Sequence, residues 1–276
     1  MCPPMGVFCW QPAYLERSHK LAYSEFFESV GREQSNHLAI KSGMFDGSYD
    51  LNGEAFVQSV LKFNKNSLLH IYVSSTLYCY YRRYFHKNAD CVEDEDVNWW
   101  VALMKGYGVR LTRRGYKYDV EDAAWSWFKK NEIVFTKFFD IISEEVVHIL
   151  FNDKHFLVKF NRIVRNVLID ENGTYSNFVK WPEGYRNEDG TIKRCAIPKW
   201  VKQAVFHRDK GHCVFCNKNL TGLVNIFDSQ KNYDHIIPLK DYGANDPCNI
   251  QLSREECNKS KGRKDIVPIY KYQSWW

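Results

Sequence analysis

The stretch from Asn232 to Gly262 constrains this 276-residue chain more than any other. It reads Asn232-Tyr233-Asp234-His235-Ile236-Ile237-Pro238-Leu239, then Cys248-Asn249-Ile250-Gln251-Leu252, then Glu256-Cys257-Asn258-Lys259-Ser260-Lys261-Gly262. An Asp beside a His in a strand-like run, with the side-chain amide of Asn258 further on, supplies two oxygen ligands and one imidazole. That set suits a hard cation such as Mg²⁺ together with a general base. Successive side chains of a strand point to opposite faces, so Asp234 and His235 can share one site only where the strand ends or bends. Pro238, which cannot donate to a sheet ladder, is consistent with such an end.

Upstream, Cys213-Val214-Phe215-Cys216 and the loop Gly243-Ala244-Asn245-Asp246-Pro247 belong to the same ordered pattern. With Asp234-His235, Asn249 and Asn258, it resembles the HNH endonuclease family, the ββα-metal or His-Me-finger nucleases, over roughly residues 197–265. A lone Asp-His or a lone Cys-x-x-Cys would be weak; all of these in this order are specific. The resemblance implies that His235 is the general base, that Asp234 and Asn258 hold one Mg²⁺ or Mn²⁺, and that Asn249 braces the loop so that His235 faces the scissile phosphate. It also implies a nucleic-acid substrate, expected to be DNA. The chemistry is sound in itself. Hydrolysis of a phosphodiester needs a water deprotonated near neutral pH, and an imidazole of ordinary pKa ~6.5 can accept that proton.

Cys213 and Cys216 resemble a zinc knuckle, and zinc-bearing members of the family carry a second Cys-x-x-Cys after the Asn-x-Gln-Leu strand. Cys257 occupies the second position of that pair, but Arg254 stands at the first, a departure from the pattern. Cys248 precedes Arg254 across a strand that would separate them by roughly 20 Å, out of reach. A structural Zn²⁺ on Cys213, Cys216 and Cys257 is one expectation, and three thiols packed as small buried hydrophobes is the other. Lys259, Lys261, Arg263 and Lys264 follow Asn258 closely and are expected to face a phosphate track, or else to form an ordinary solvated basic face.

Charge supports a nucleic-acid partner only modestly. Residues 191–276 hold 15 Lys+Arg against 8 Asp+Glu, whereas residues 1–190 hold 23 against 25, so the positive excess lies with the motif. A hydrophobic fraction of 45% and an aromatic fraction of 16% indicate a folded chain. The N-terminus shows neither a basic segment nor an unbroken apolar one, so no secretory signal is read and a cytoplasmic location with reduced thiols is expected. Ser67–Tyr81 is uncharged but too short to span a bilayer of ~20 residues, and reads as a buried helix rather than a membrane segment.

Along the chain, apolar spacing predicts helices near residues 14–30, 56–61, 68–85 and 99–104, a long helical stretch over 119–151, and helix or strand over 156–168. Turn dipeptides mark loops over 43–53 and 170–194, and a domain boundary is placed near residue 190. Pro198 suits the first turn of a helix carrying the stripe Trp200, Val201, Ala204, Val205. The expected fold is α+β: a mostly helical domain over 1–190, then a small ββα-metal domain over 191–276. Tyr80–Lys87 and Arg110–Tyr118 interleave cations with aromatics, a pattern that serves either nucleic-acid contact or helix packing with snorkelling arginines. The aromatic tail Tyr270–Trp276 is expected to dock on the helical domain or a partner.

Two functions follow. One is a metal-dependent nuclease, of restriction type or an anti-phage defence effector controlled by a protein partner through residues 1–190. The other is an interaction protein that binds nucleic acid without cutting; Arg254 in place of a cysteine favours it weakly, and the intact Asp234, His235, Asn249 and Asn258 oppose it.

Overall fold

The computed structural model describes residues 53–88, 92–117, 122–169, 181–221 and 231–262. The sequence expectations for 14–30, for the turns of 43–52 and for the tail 270–276 lie outside these residues. Among the described residues, seven helices precede a two-stranded sheet and a closing helix: α1 Gly53–Leu61, α2 Leu68–Lys87, α3 Asp94–Gly106, α4 Ala123–Lys130, α5 Glu132–Leu150, α6 Lys154–Ile169, α7 Lys199–Arg208, β1 Lys231–His235, β2 Ile250–Arg254 and α8 Glu255–Lys261. A helical region followed by a small ββα element is the α+β arrangement expected. No helix among the described residues is long and apolar enough to cross a membrane.

Residues 70–147 form one compact unit, and 53–69 with 148–262 form a second. In the first, rings make the core. Phe85 of α2 stacks on Phe128 of α4 at 4.9 Å and meets Phe135 of α5 edge-on at 5.5 Å, while Trp100 of α3 closes on Phe135 at 5.2 Å. The stretch 119–151 is not one helix. Asn131 ends α4, its backbone N–H reaching the carbonyls of Trp127 and Phe128 and its amide donating to Trp127 O, and α5 restarts one residue later. An Asn whose side chain competes for the helix's own carbonyls is a plausible stop inside an unbroken apolar pattern.

The second unit is not divided at residue 190. Its core joins Val201 and Val205 of α7 to Cys213, Leu220 and, from β2, Ile250 and Leu252, with Phe63 and Phe151 packed against them. α7 begins one residue later than Pro198, which serves as its N-cap. At its other end Arg208 and Asp209 form a buried pair; Arg208 donates to Ile250 O at 2.6 Å, and Asp209 accepts from Leu252 N–H at 2.8 Å and pairs with Lys154 at 3.3 Å. Burial would push the Asp209 carboxyl up, but Arg208, Lys154 and the Leu252 N–H together hold it below the ordinary carboxylate value. β1 and β2 run antiparallel with Asp234 opposite Gln251 and His235 opposite Ile250.

Candidate active site

β1 ends at His235, the condition under which Asp234 and His235 can serve one site. Beyond it the chain turns through Leu239–Asp241 and the Gly243–Pro247 loop to the 3₁₀ turn Pro247–Asn249, which leads into β2. Asn249 locks this excursion. Its carbonyl oxygen accepts from Ile237 N–H at 2.8 Å, and its amide donates to Ala244 O at 2.9 Å and Ile237 O at 3.1 Å, all in a fully buried position. The loop passes so close to Ile237 that a Cβ on Gly243 would lie 2.0 Å from the Ile237 carbonyl oxygen. Only glycine lets the two backbones approach in this way.

Two residues the sequence reading left without a role anchor the same loop. Asn245 takes Val60 O through its backbone N–H at 2.9 Å and donates its amide to Leu61 O at 3.0 Å and Lys193 O at 2.8 Å. Asp246 accepts from Leu68 N–H and Cys248 N–H, each at 2.8 Å. Burial pushes its carboxyl up to about 6 against the pull of those two N–H groups. Their signal was available: adjacent Asn and Asp before a proline bond readily to backbone. Their partners near residues 60–68 were not legible.

His235 is 1% exposed; neither ring nitrogen makes a hydrogen bond of good geometry among the described residues, and the Asn245 side chain interacts with the ring. Burial, aided by the nearby charges of Arg194 and Lys261, lowers the imidazole to about 4; Asp234 and Asn245 oppose this only in part. His235 is therefore neutral near pH 7, with a lone pair to offer. Asp234 is bonded through one carboxylate oxygen to Lys261 at 2.6 Å and to Gln251 at 3.3 Å.

Lys261 corrects the reading of a phosphate-facing basic run. It is 1% exposed, and its ammonium binds Asp234 and the carbonyls of His235 and Ile236. It stands three residues after half-buried Asn258 on α8, the spacing of one helix face. That spacing was present in the sequence. Lys259 is on the exposed side, 74% accessible and paired with Glu255 at 2.5 Å. Arg263 and Lys264 lie outside the described residues.

The sulfurs of Cys213, Cys216 and Cys257 lie within 4.8 Å of one another. Four thiolates around zinc at ~2.3 Å would stand about 3.8 Å apart, so this trio fits three corners of one tetrahedral site. Burial and the two neighbouring thiols push Cys257 up to about 12. For Cys216, burial is outweighed by the Lys218 N–H, the adjacent thiols and the Arg254 charge, and its thiol sits below the ordinary value. Arg254, at the position of the missing cysteine, pairs with Glu256 and donates its backbone N–H to Cys213 Sγ at 3.3 Å. Cys248 is elsewhere, buried against Ser67 Oγ at 3.7 Å.

A strand ending in Asp-His, an Asn-locked loop, a second strand and a helix bearing Asn258 make a ββα arrangement. Residues 213–264 match the HNH endonuclease family model, which supports nuclease chemistry in general for this segment. No curated protein and no solved structure matched the chain.

Proposed function

We propose that the protein is a divalent-metal-dependent endonuclease that hydrolyses phosphodiester bonds of DNA. The observation carrying this reading is the His235 ring, enclosed at the end of β1 beside Asp234 and held neutral by its burial. His235 accepts the proton of the attacking water. Asp234 and Asn258 would hold Mg²⁺ or Mn²⁺, the remaining positions going to water and phosphate oxygens, as a hard cation prefers. When bound, such an ion neutralises charge developing on the phosphate and on the leaving 3′ oxygen. Lys261 fixes the Asp234 carboxylate and the His235 and Ile236 carbonyls. Asn249 sets the loop that orients the imidazole.

Cys213, Cys216 and Cys257 would hold a structural Zn²⁺, remote in role from hydrolysis. A general base contributes roughly 10²- to 10⁴-fold in rate. With purified protein, supercoiled plasmid and Mg²⁺ or Mn²⁺, we expect nicking that EDTA abolishes and that His235→Ala reduces at least 10²-fold while DNA affinity is retained. Binding without cleavage under either metal would replace this reading with that of a non-cutting interaction protein.

A further inference from the structure

We propose that Arg194, which lies outside the matched segment 213–264, is a further functional residue of the His235 site: its guanidinium takes a non-bridging oxygen of the phosphate presented to His235. This rests on the reading of the chain as acting on nucleic acid. The placement begins with a closed hairpin. Asn187 N–H bonds to Thr191 O at 2.8 Å, Lys193 N–H bonds to Tyr185 O at 2.9 Å, and Arg186 pairs across it with Ile192. The chain leaving this hairpin is then clasped on both sides of Arg194 by one side chain. Asn245 donates its amide to Lys193 O at 2.8 Å, and its carbonyl oxygen accepts from Cys195 N–H at 3.5 Å. Cys195 Sγ adds a contact to Leu61 O at 3.2 Å. The same Asn245 side chain interacts with the His235 ring, so one buried amide joins the backbone around Arg194 to the imidazole.

Arg194 itself is exposed and enters no ion pair among the described residues. The carboxylates of β1 and of the turn after it are taken by other cations, Asp234 by Lys261 at 2.6 Å and Asp241 by Arg165 at 2.9 Å. Yet the charge of Arg194 reaches His235. Among charged groups it acts on the imidazole most, ahead of Asp234 and Lys261, and it lowers the ring's proton affinity. A cation held there opposes a base that must become charged. A phosphate resting against both groups reverses that sign, because the anion attracts the guanidinium and the imidazolium as it forms. Arginine suits the role: its planar fork matches phosphate oxygens, and it stays charged while His235 takes the proton. Fixing its backbone at both neighbours before substrate arrives lowers the cost of ordering it.

The test uses the full chain with Arg194→Ala, Arg194→Lys and a charge-matched control, Lys159→Ala, from an exposed position on α6. Nicking of supercoiled plasmid is followed in Mg²⁺ under single turnover, and binding of a labelled DNA duplex is followed in EDTA across a NaCl series. We expect Arg194→Ala to slow nicking about 10²-fold at an unchanged melting temperature, Arg194→Lys to fall between, and Lys159→Ala to match wild type. Loss of one phosphate contact should also flatten the log-affinity against log-salt slope by about 1. Nicking by Arg194→Ala within about threefold of wild type, or an equal loss in Lys159→Ala, overturns the proposal and leaves the nuclease reading standing. Slowed nicking with an unchanged salt slope marks a positional fault rather than a phosphate contact, and overturns it as well. A wild-type chain that binds but never cuts overturns the nuclease reading. There, a flattened slope in Arg194→Ala and not in Lys159→Ala upholds the phosphate contact, and an unchanged slope removes it too.

Discussion

Lys259 and Lys261 stand two positions apart on α8, one holding Glu255 in solvent and the other buried on Asp234. An exposed pair is screened and contributes little, so Lys259→Ala should shift stability by under about 0.5 kcal/mol. Lys261→Ala strands a carboxylate and two carbonyls, and should cost about 3 kcal/mol by denaturant titration. Asp246 predicts a pH effect. Its folded-state value, about 6, lies above the ordinary 3.8, so folding takes up a proton between the two. The associated stability is complete below the unfolded value and is lost as the pH rises through 6. Between pH 5 and 7.5 this amounts to about 1 kcal/mol, which should be missing from the pH dependence of Asp246→Asn. At this scale the HNH pattern of residues 213–264 was legible because its residue types recur at fixed spacings. Lys261 was misread because a basic run looks the same whether a given lysine faces solvent or a buried carboxylate.

The loop between β1 and β2 has a single tolerance, and it is at Gly243. A Cβ there would collide with the backbone carbonyl of Ile237, which Asn249 itself holds. Gly243→Ala should therefore cost about 3 kcal/mol and lower cleavage by displacing the end of β1, readable as a fallen melting temperature with reduced nicking. The three-cysteine corner makes a separate prediction. The purified chain should carry about one zinc, and Cys216→Ser should lose it, both by elemental analysis. The helix α2 was legible from its apolar spacing, whereas the sequence left 156–168 open between helix and strand, and the structure makes it the helix α6. The break at Asn131 was not legible, because the apolar stripe continues through it and only the capping geometry interrupts the helix.

The division into units is where the sequence reading and the structure differ most. The HNH segment is locally recognisable, but its loop is satisfied by Val60, Leu61, Leu68 and Asn161, and Asp209 by Lys154. No composition shift announces such bonds. Each buried group left unpaired costs about 1 to 3 kcal/mol, and several together rival the whole stability of a small domain. A fragment of residues 191–276 should therefore show no protected β1–β2 amides in hydrogen exchange, whereas the full chain should protect them.

The same bonds impose an order on biosynthesis. The amide of Asn245 reaches a carbonyl made 184 residues earlier, and closing a loop of that length costs roughly 5 kcal/mol of chain entropy before any contact repays it. Leu61 and Leu68 leave the ribosome with their polar groups still in water, and they stay so until residues 231–262 arrive. A growing chain therefore cannot complete the loop that sets His235 and Asn249 until translation has passed α8.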